Sequence, residues 1–276
     1  MLQLATLASV SSRASEAIKE VRSEGVAVVP DVFSQAECKR YVEVLEGMVG
    51  AAVERGSYFG SRSYQVIYNY FIYDESLYDL FAHPLIDEVM LSLIDKDYVL
   101  ISPSARNPRI RHDLPEGERT SGLGWHTDAR VANVATGELY RPSQAFYAFV
   151  ALEDFEKGNS ATLYVPKSHF LYQRPPDREA KLDCEVLEAK AGSIVFFDAA
   201  LWHRAGQPTG ASRWSIFNQY GPWFMKPFFR FTDHYSLDQL KLLPPLVQKL
   251  LHLCCTPPKD ADARRPTVTG VPPYDL

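Results

Sequence analysis

The residues whose types and spacing could do chemistry are concentrated first in Gly124-Trp125-His126-Thr127-Asp128. On an extended strand alternate side chains share a face, so the His126 imidazole and the Asp128 carboxylate would point the same way. One further imidazole would complete a 2-His-1-carboxylate facial triad. That ligand set leaves three octahedral positions open and is the geometry of non-haem Fe(II) oxygenases. A His-x-Asp tripeptide alone is common on solvated strands, so the reading depends on what the rest of the chain supplies.

His203 is a candidate third ligand. It lies in Ala200-Leu201-Trp202-His203-Arg204-Ala205-Gly206, just after the apolar run Ile194-Val195-Phe196-Phe197. A histidine between a buried strand and a glycine turn can reach back into a barrel mouth. A half-buried histidine bonded to backbone would have the same sequence surroundings. His83, His112, His169, His234 and His252 stand at helix boundaries, in turns, among polar residues or in a helix, and read as surface or packing residues. Arg213 opens a strand that continues through Trp214, Ile216 and Phe217, where a guanidinium needs a partner or solvent. Ser215 shares its face. An arginine beside a hydroxyl suits a carboxylate, because the guanidinium fork matches it in bidentate geometry. An internal ion pair with Asp or Glu is the alternative.

The elements that must position these groups follow from periodicity. Ser12 to Arg22 is of helical composition and stops at Gly25, and Val26-Ala27-Val28-Val29-Pro30 reads as a buried strand ended by proline. Ser34-Gln35-Ala36-Glu37 is a capping box, and Tyr41, Val42, Leu45, Met48, Val49, Ala52 and Val53 give the helix behind it an apolar face. Residues 64–73 predict a strand. A helical stretch from Ser76 breaks at His83-Pro84 and resumes with Pro84 as its first residue. Strands are expected at 97–102, around Ile110, and at 144–152, 162–165, 184–187, 193–197 and 213–220. A helix returns from Ser236, and the proline-rich stretch from Pro257 reads as a loosely held tail. Short strands without intervening helices predict a sandwich or barrel rather than a doubly wound sheet.

Bulk properties bound the function. The chain has 276 residues, 46% apolar and 23% charged, enough for a sizeable core in a single domain. Lys and Arg total 29 against 34 Asp and Glu, a net charge of -5 that speaks against a nucleic-acid or membrane-surface binder. Cys38, Cys184, Cys254 and Cys255 show no paired spacing and read as reduced thiols. No signal-peptide pattern or membrane-length apolar run is present in the sequence, so a cytoplasmic protein is expected.

These stretches, in this order, resemble the phytanoyl-CoA dioxygenase superfamily. The likeness rests on Glu24-Gly25-Val26-Ala27-Val28-Val29-Pro30, Phe33-Ser34-Gln35-Ala36-Glu37-Cys38 and His83-Pro84. It continues through Trp125-His126-Thr127-Asp128, Ala151-Leu152-Glu153-Asp154, Val165-Pro166-Lys167-Ser168-His169, and His203 followed ten residues later by Arg213. The resemblance implies a mainly β fold with flanking helices around a double-stranded β-helix, a jelly-roll or cupin-like core. Helices and first strands would occupy 1–95, the β-helix 97–222, and a C-terminal helix and tail 223–276. It implies His126, Asp128 and His203 as Fe(II) ligands and Arg213 with Ser215 as the receptor for the distal carboxylate of 2-oxoglutarate, with O2 as co-substrate. Arg111 is a further candidate for that pocket, or else a solvated member of the run Arg106, Arg109, Arg111. His169 matches a structural feature of the family rather than a ligand.

Two positions depart from the family pattern. Lys167 stands where a glycine is common, and Asn159-Ser160 replaces a common Asn-Gly, so turn shape is where this chain would differ. The retained acid at Asp128 argues against halogenation, since related halogenases have a small residue there. The expected activity is hydroxylation, or another oxidation, of a small-molecule metabolite or natural-product intermediate, with release of succinate and CO2. A catalytically silent binding or regulatory protein and an oxygenase acting on a macromolecule are the alternatives. Trp125, Phe146, Tyr147 and Trp202 are candidate pocket walls or plain core. Residues 58–63, 129–141 and 172–178 are candidate selectivity loops.

Overall fold

The computed structural model describes residues 11–61, 64–108, 124–206 and 213–253. Arg111 and the strand expected around Ile110 lie outside the described residues, as do His112, Cys254 and Cys255. Helix α1 (Ser12–Glu24) ends at Gly25, whose φ of 88° is the left-handed conformation that stops a helix cheaply only at glycine. A Cβ on Gly25 would also meet Leu201 and His169 at 2.7 Å, so this turn locks α1 to the segment that carries His203. Strand β1 (Val26–Val29) follows, then α2 (Gln35–Glu54), opened by the expected capping box of Ser34 and Glu37.

β2 (Tyr58–Ser61) and β3 (Tyr64–Tyr68) form a hairpin, so the first expected loop is largely strand. Two 3-10 turns, Tyr70–Ile72 and Glu75–Leu80, occupy the end of the expected strand and the start of the expected helix. Helix α3 (Pro84–Leu93) begins at Pro84 with His83 as its cap. After it come β4 (Tyr98–Pro108), the small hairpin β5 (Val131–Asn133) and β6 (Glu138–Leu139), β7 (Phe146–Ala151), β8 (Thr162–Tyr164) and β9 (Glu185–Val186). They are followed by β10 (Ile194–Asp198), β11 (His203–Ala205) and β12 (Ser215–Pro222). The C-terminal helical stretch is two short helices, α4 (Leu237–Leu242) and α5 (Pro245–Leu250), because Pro244 and Pro245 cannot continue the first.

The strands assemble into a jelly roll. A seven-stranded antiparallel sheet runs β1-β10-β7-β12-β4-β3-β2, and a smaller sheet runs β11-β8-β9. Residue 126 extends the smaller sheet through a bridge to His203. The large sheet is apolar on both faces, which is why β7 and β10 read as continuous apolar runs without alternation. One face, with Phe146, Ala148, Val150, Ile194, Phe196 and Ile216, packs under the helices. The other, with Tyr147, Phe149, Val195, Phe197 and Phe217, faces the smaller sheet across the interior. No helix among the described residues is long and apolar enough to cross a membrane.

Candidate active site

His126, Asp128 and His203 meet at one end of the interior, each offering a ligand atom within 4.8 Å of the others. Backbone pairing sets this arrangement. His126 and His203 exchange both backbone hydrogen bonds at 3.0 Å, which places their rings 4.3 Å apart, and the Asp128 N–H donates to the Ala199 carbonyl at 2.9 Å. His203 thus opens a short strand of its own, β11, between β10 and the turn at Gly206.

The histidines are oriented as metal ligands would be. The Nδ1–H of His126 donates to the Gly124 carbonyl, and that of His203 to the Leu201 carbonyl, both at 2.9 Å. A carbonyl can only accept, so each ring carries a proton on Nδ1, and in the neutral ring that tautomer leaves the Nε2 lone pair free for a metal. Both Nε2 atoms face the Asp128 carboxylate, at 3.4 Å for His203 and 4.0 Å for His126. Burial, and then the neighbouring His203, lower the His126 pKa, which favours the neutral, ligating form. Burial alone would raise the Asp128 carboxyl, but a proton on the facing His203 or His126 ring, which a metal would replace, and the Tyr147 hydroxyl outweigh it and hold the group well below the usual carboxylate range. Two imidazoles, neutral when they ligate, and one carboxylate gathered within 4.8 Å and partly open to solvent fit a divalent transition metal with open positions.

A supporting shell surrounds the three. The Tyr147 hydroxyl donates to Asp128 Oδ2 at 2.9 Å, and the Gln219 side chain reaches the Asp128 carbonyl at 3.4 Å. Burial and then the Asp128 charge push the Tyr147 phenol far up, so it stays a proton donor, although the positive charges of Arg106 and Arg130 pull the other way. Of the four aromatic candidates, Tyr147 alone contacts the triad by a hydrogen bond. Phe146 points into the helix-covered face of the sheet. Trp125 and Trp202 anchor the loop after residue 172, donating from Nε1 to the carbonyls of Ala180 (2.8 Å) and Gln173 (2.7 Å). His169 packs at the α1–β1 turn, away from the triad and consistent with a structural role.

The carboxylate-receptor candidates also come together. Arg213 lies two residues before β12 rather than opening it, yet it keeps the face shared with Ser215. Its buried guanidinium donates from Nη1 to Ser215 Oγ at 2.7 Å and from Nη2 to the Ser160 carbonyl at 2.9 Å, and stacks 3.8 Å over the Phe155 ring. Ser215 pairs directly with Arg106 of β4, so Arg106 is a second guanidinium on this inner face, 4.5 Å over Phe217 and bonded to Ser104 Oγ. The basic run in the sequence contained Arg106, but without the β4–β12 register its face could not be assigned. Both departures from the family pattern occupy left-handed backbone, Ser160 and Lys167 each at φ 62°. Glycine is favoured there, and Ser160 supplies the carbonyl that receives Arg213.

Residues 21–214 match the sequence profile of the family described as Phytanoyl-CoA dioxygenase (PhyH). Among curated proteins, an uncharacterized protein of Mycobacterium bovis and one of Mycobacterium tuberculosis are each 35% identical over 81 residues. The match covers 29% of this chain and 28% of theirs, so it spans little more than a quarter of those relatives. Among solved structures, the epimerase SnoN in complex with Fe3+, alpha ketoglutarate and nogalamycin RO is similar with a TM-score of 0.55 at 16% identity. That match covers 78% of this chain and 86% of SnoN. The non-heme alpha ketoglutarate dependent carbocyclase SnoK gives 0.54 at 18% identity over 75% and 83%. At such identities the likeness speaks for the fold. With the profile spanning most of the sequence, the chain belongs to the phytanoyl-CoA dioxygenase (PhyH) family.

Proposed function

We propose that the chain hydroxylates a small organic molecule, with His126, Asp128 and His203 holding Fe(II) and Arg213 with Ser215 binding the distal carboxylate of 2-oxoglutarate. The observation that carries this reading is the pair of Nδ1–H donations to Gly124 and Leu201, which leaves both Nε2 lone pairs directed at the Asp128 carboxylate. When bound, the iron and oxoglutarate supply the oxidant: O2 gives one oxygen atom to succinate, as CO2 leaves, and the other to the substrate.

The residues of the chain bind, orient and shield. Asp128 is fixed by the Tyr147 hydroxyl and by its backbone bond to Ala199. Arg213 is held over Phe155 by Ser215 and Ser160 before any ligand arrives, so little reorganisation accompanies carboxylate binding. Phe149, Phe197 and Phe217 supply a dry interior, which strengthens each charge interaction within it. The similar structures are those of an epimerase and a carbocyclase, so the product is what fixes the reaction type. In air, with Fe(II), 2-oxoglutarate and a panel of small molecules, the protein is expected to form succinate in step with a product heavier by one oxygen. A product of unchanged mass, or lighter by two hydrogens, would replace hydroxylation with epimerisation or ring closure. No succinate with any compound would remove the oxygenase reading.

A further inference from the structure

A cavity of about 780 Å³ is lined by Arg130, two residues along the chain from Asp128, and the hydroxylation reading has not yet given its substrate a place. Its floor and one wall come from the segment after β12. The Met225 N–H donates to the Pro222 carbonyl and the Phe228 N–H to the Ile101 carbonyl, which ties this segment to β4. Gly221 makes room for Met225, since a Cβ there would stand 2.8 Å from its sulfur. Met225 thereby joins the same inner cluster as Tyr147, Phe149 and Phe197.

The opposite wall is formed by Arg130, Tyr140 and Gln144. Arg130 lies two residues beyond Asp128. Gln144 precedes Ala145, whose carbonyl accepts from Ala199, the residue that in turn receives the Asp128 N–H. The cavity is thus built onto the backbone that holds the metal-ligand cluster.

Its chemistry is one-sided. Phe224 and Phe228 are 61% and 58% exposed, a poor arrangement for large apolar rings unless something covers them. Arg130 stands 5.8 Å from the Phe228 ring centroid, and Lys226 is the second cation of the lining. Among the described residues no carboxylate lines the cavity and neither cation forms an ion pair. Exposed aromatic faces beside two cations are complementary to a ring system carrying a negative group.

We propose that this cavity receives the prime substrate and that the substrate is an aromatic anion, its rings against Phe224 and Phe228 and its negative group between Arg130 and Lys226. The assignment of this ligand as the substrate rests on the oxygenase reading above; the charge and ring preference of the cavity does not.

The test uses calorimetry on the full chain loaded anaerobically with Fe(II) and saturating 2-oxoglutarate, with 2-naphthoate, 2-naphthamide and decahydro-2-naphthoate as probes. 2-Naphthoate is expected to bind at least about tenfold more tightly than either the neutral amide or the saturated acid, a difference of about 1.4 kcal/mol. In the double variant Arg130→Gln/Lys226→Gln, the acid is expected to fall to the affinity of the amide, while the amide is unchanged. Equal binding of acid and amide, no binding of 2-naphthoate, or an acid preference that survives the double variant would overturn the proposal. If that preference survived but vanished in Arg106→Gln, the anion would belong inside the barrel, again overturning it. The visible charge-transfer band of the Fe(II)–oxoglutarate complex, read on the same wild-type sample, tests the oxygenase reading separately. Its absence alongside an intact acid preference would sink that reading and the substrate assignment with it, and leave only the charge and ring preference of the cavity standing.

Discussion

Replacing Arg213 by glutamine should weaken 2-oxoglutarate binding by about two orders of magnitude. The guanidinium is 3% exposed, and its position is set on three sides by Ser215 Oγ, the Ser160 carbonyl and the Phe155 ring. A carboxylate arriving there would make charge-assisted hydrogen bonds worth about 1.5–3 kcal/mol each. Losing about 3 kcal/mol corresponds to a Kd raised roughly 150-fold. Arg213→Lys keeps the charge but not the fork, and a loss nearer tenfold is expected. The glutamine variant also leaves the Ser160 carbonyl without its donor, at about 1–3 kcal/mol of stability, so a Tm several degrees lower should accompany it. Anaerobic titration with 2-oxoglutarate in the presence of Fe(II), well below that Tm, gives the Kd. A folded Arg213→Gln protein that binds oxoglutarate within threefold of the wild type would refute the reasoning. A larger effect from Arg111→Gln would move the carboxylate site elsewhere.

Other perturbations probe the parts around the triad. Tyr147→Phe removes the hydroxyl that donates to Asp128 at 2.9 Å, and metal affinity should fall about tenfold in a Mn(II) titration, the low end for a lost outer-shell partner; unchanged affinity would remove Tyr147 from the site. Lys167→Gly relieves a left-handed backbone at φ 62°, so chemical denaturation should show the protein stabilised by about 1 kcal/mol, and a loss of stability would contradict the strain argument. His83 caps α3 through an Nδ1 lone pair that accepts from the Leu85 N–H at 3.1 Å. Burial lowers its pKa below 6.5, with Arg13 adding to the effect while Asp79 and Glu37 oppose it. A depressed folded pKa means that the cap's contribution, about 1 kcal/mol, is fully present above pH 6.5 and is lost as pH falls through the folded value. Thermal melts between pH 7 and 5 should therefore fall more steeply for the wild type than for His83→Asn, whose cap does not titrate; parallel curves would count against the cap.

Much of this architecture is legible from residue spacing. The Ser34–Glu37 capping box and the Pro84 helix start form where local chemistry requires them, because a cap is decided within four residues. The His126–Asp128 spacing is equally informative, since a two-residue step on extended backbone leaves one choice of face. Ambiguity begins where both faces are apolar. In Phe146-Tyr147-Ala148-Phe149 nothing in the pattern says that Tyr147 and Phe149 face the interior while Phe146 lies under the helices. The same limit hides Arg106, whose inward direction depends on its register against Ser215 more than a hundred residues away. The 3-10 turns at Tyr70–Ile72 and Glu75–Leu80 carry strand-like and helix-like residue types, and tertiary packing overrides those local preferences. The cavity beside Phe228 is assembled from three separate loops and strands, so no local pattern announces it.

The central claim is that His126, Asp128 and His203 form one iron site to which 2-oxoglutarate adds. Anaerobic titration of the purified protein with Fe(II) at saturating 2-oxoglutarate, followed by visible charge-transfer absorption, tests it most directly. A band that saturates at one iron per chain is expected, and it should be lost in His126→Ala/His203→Ala, although that variant keeps its fold by circular dichroism. A full-intensity band in that double variant, or none in the wild type, would contradict the site.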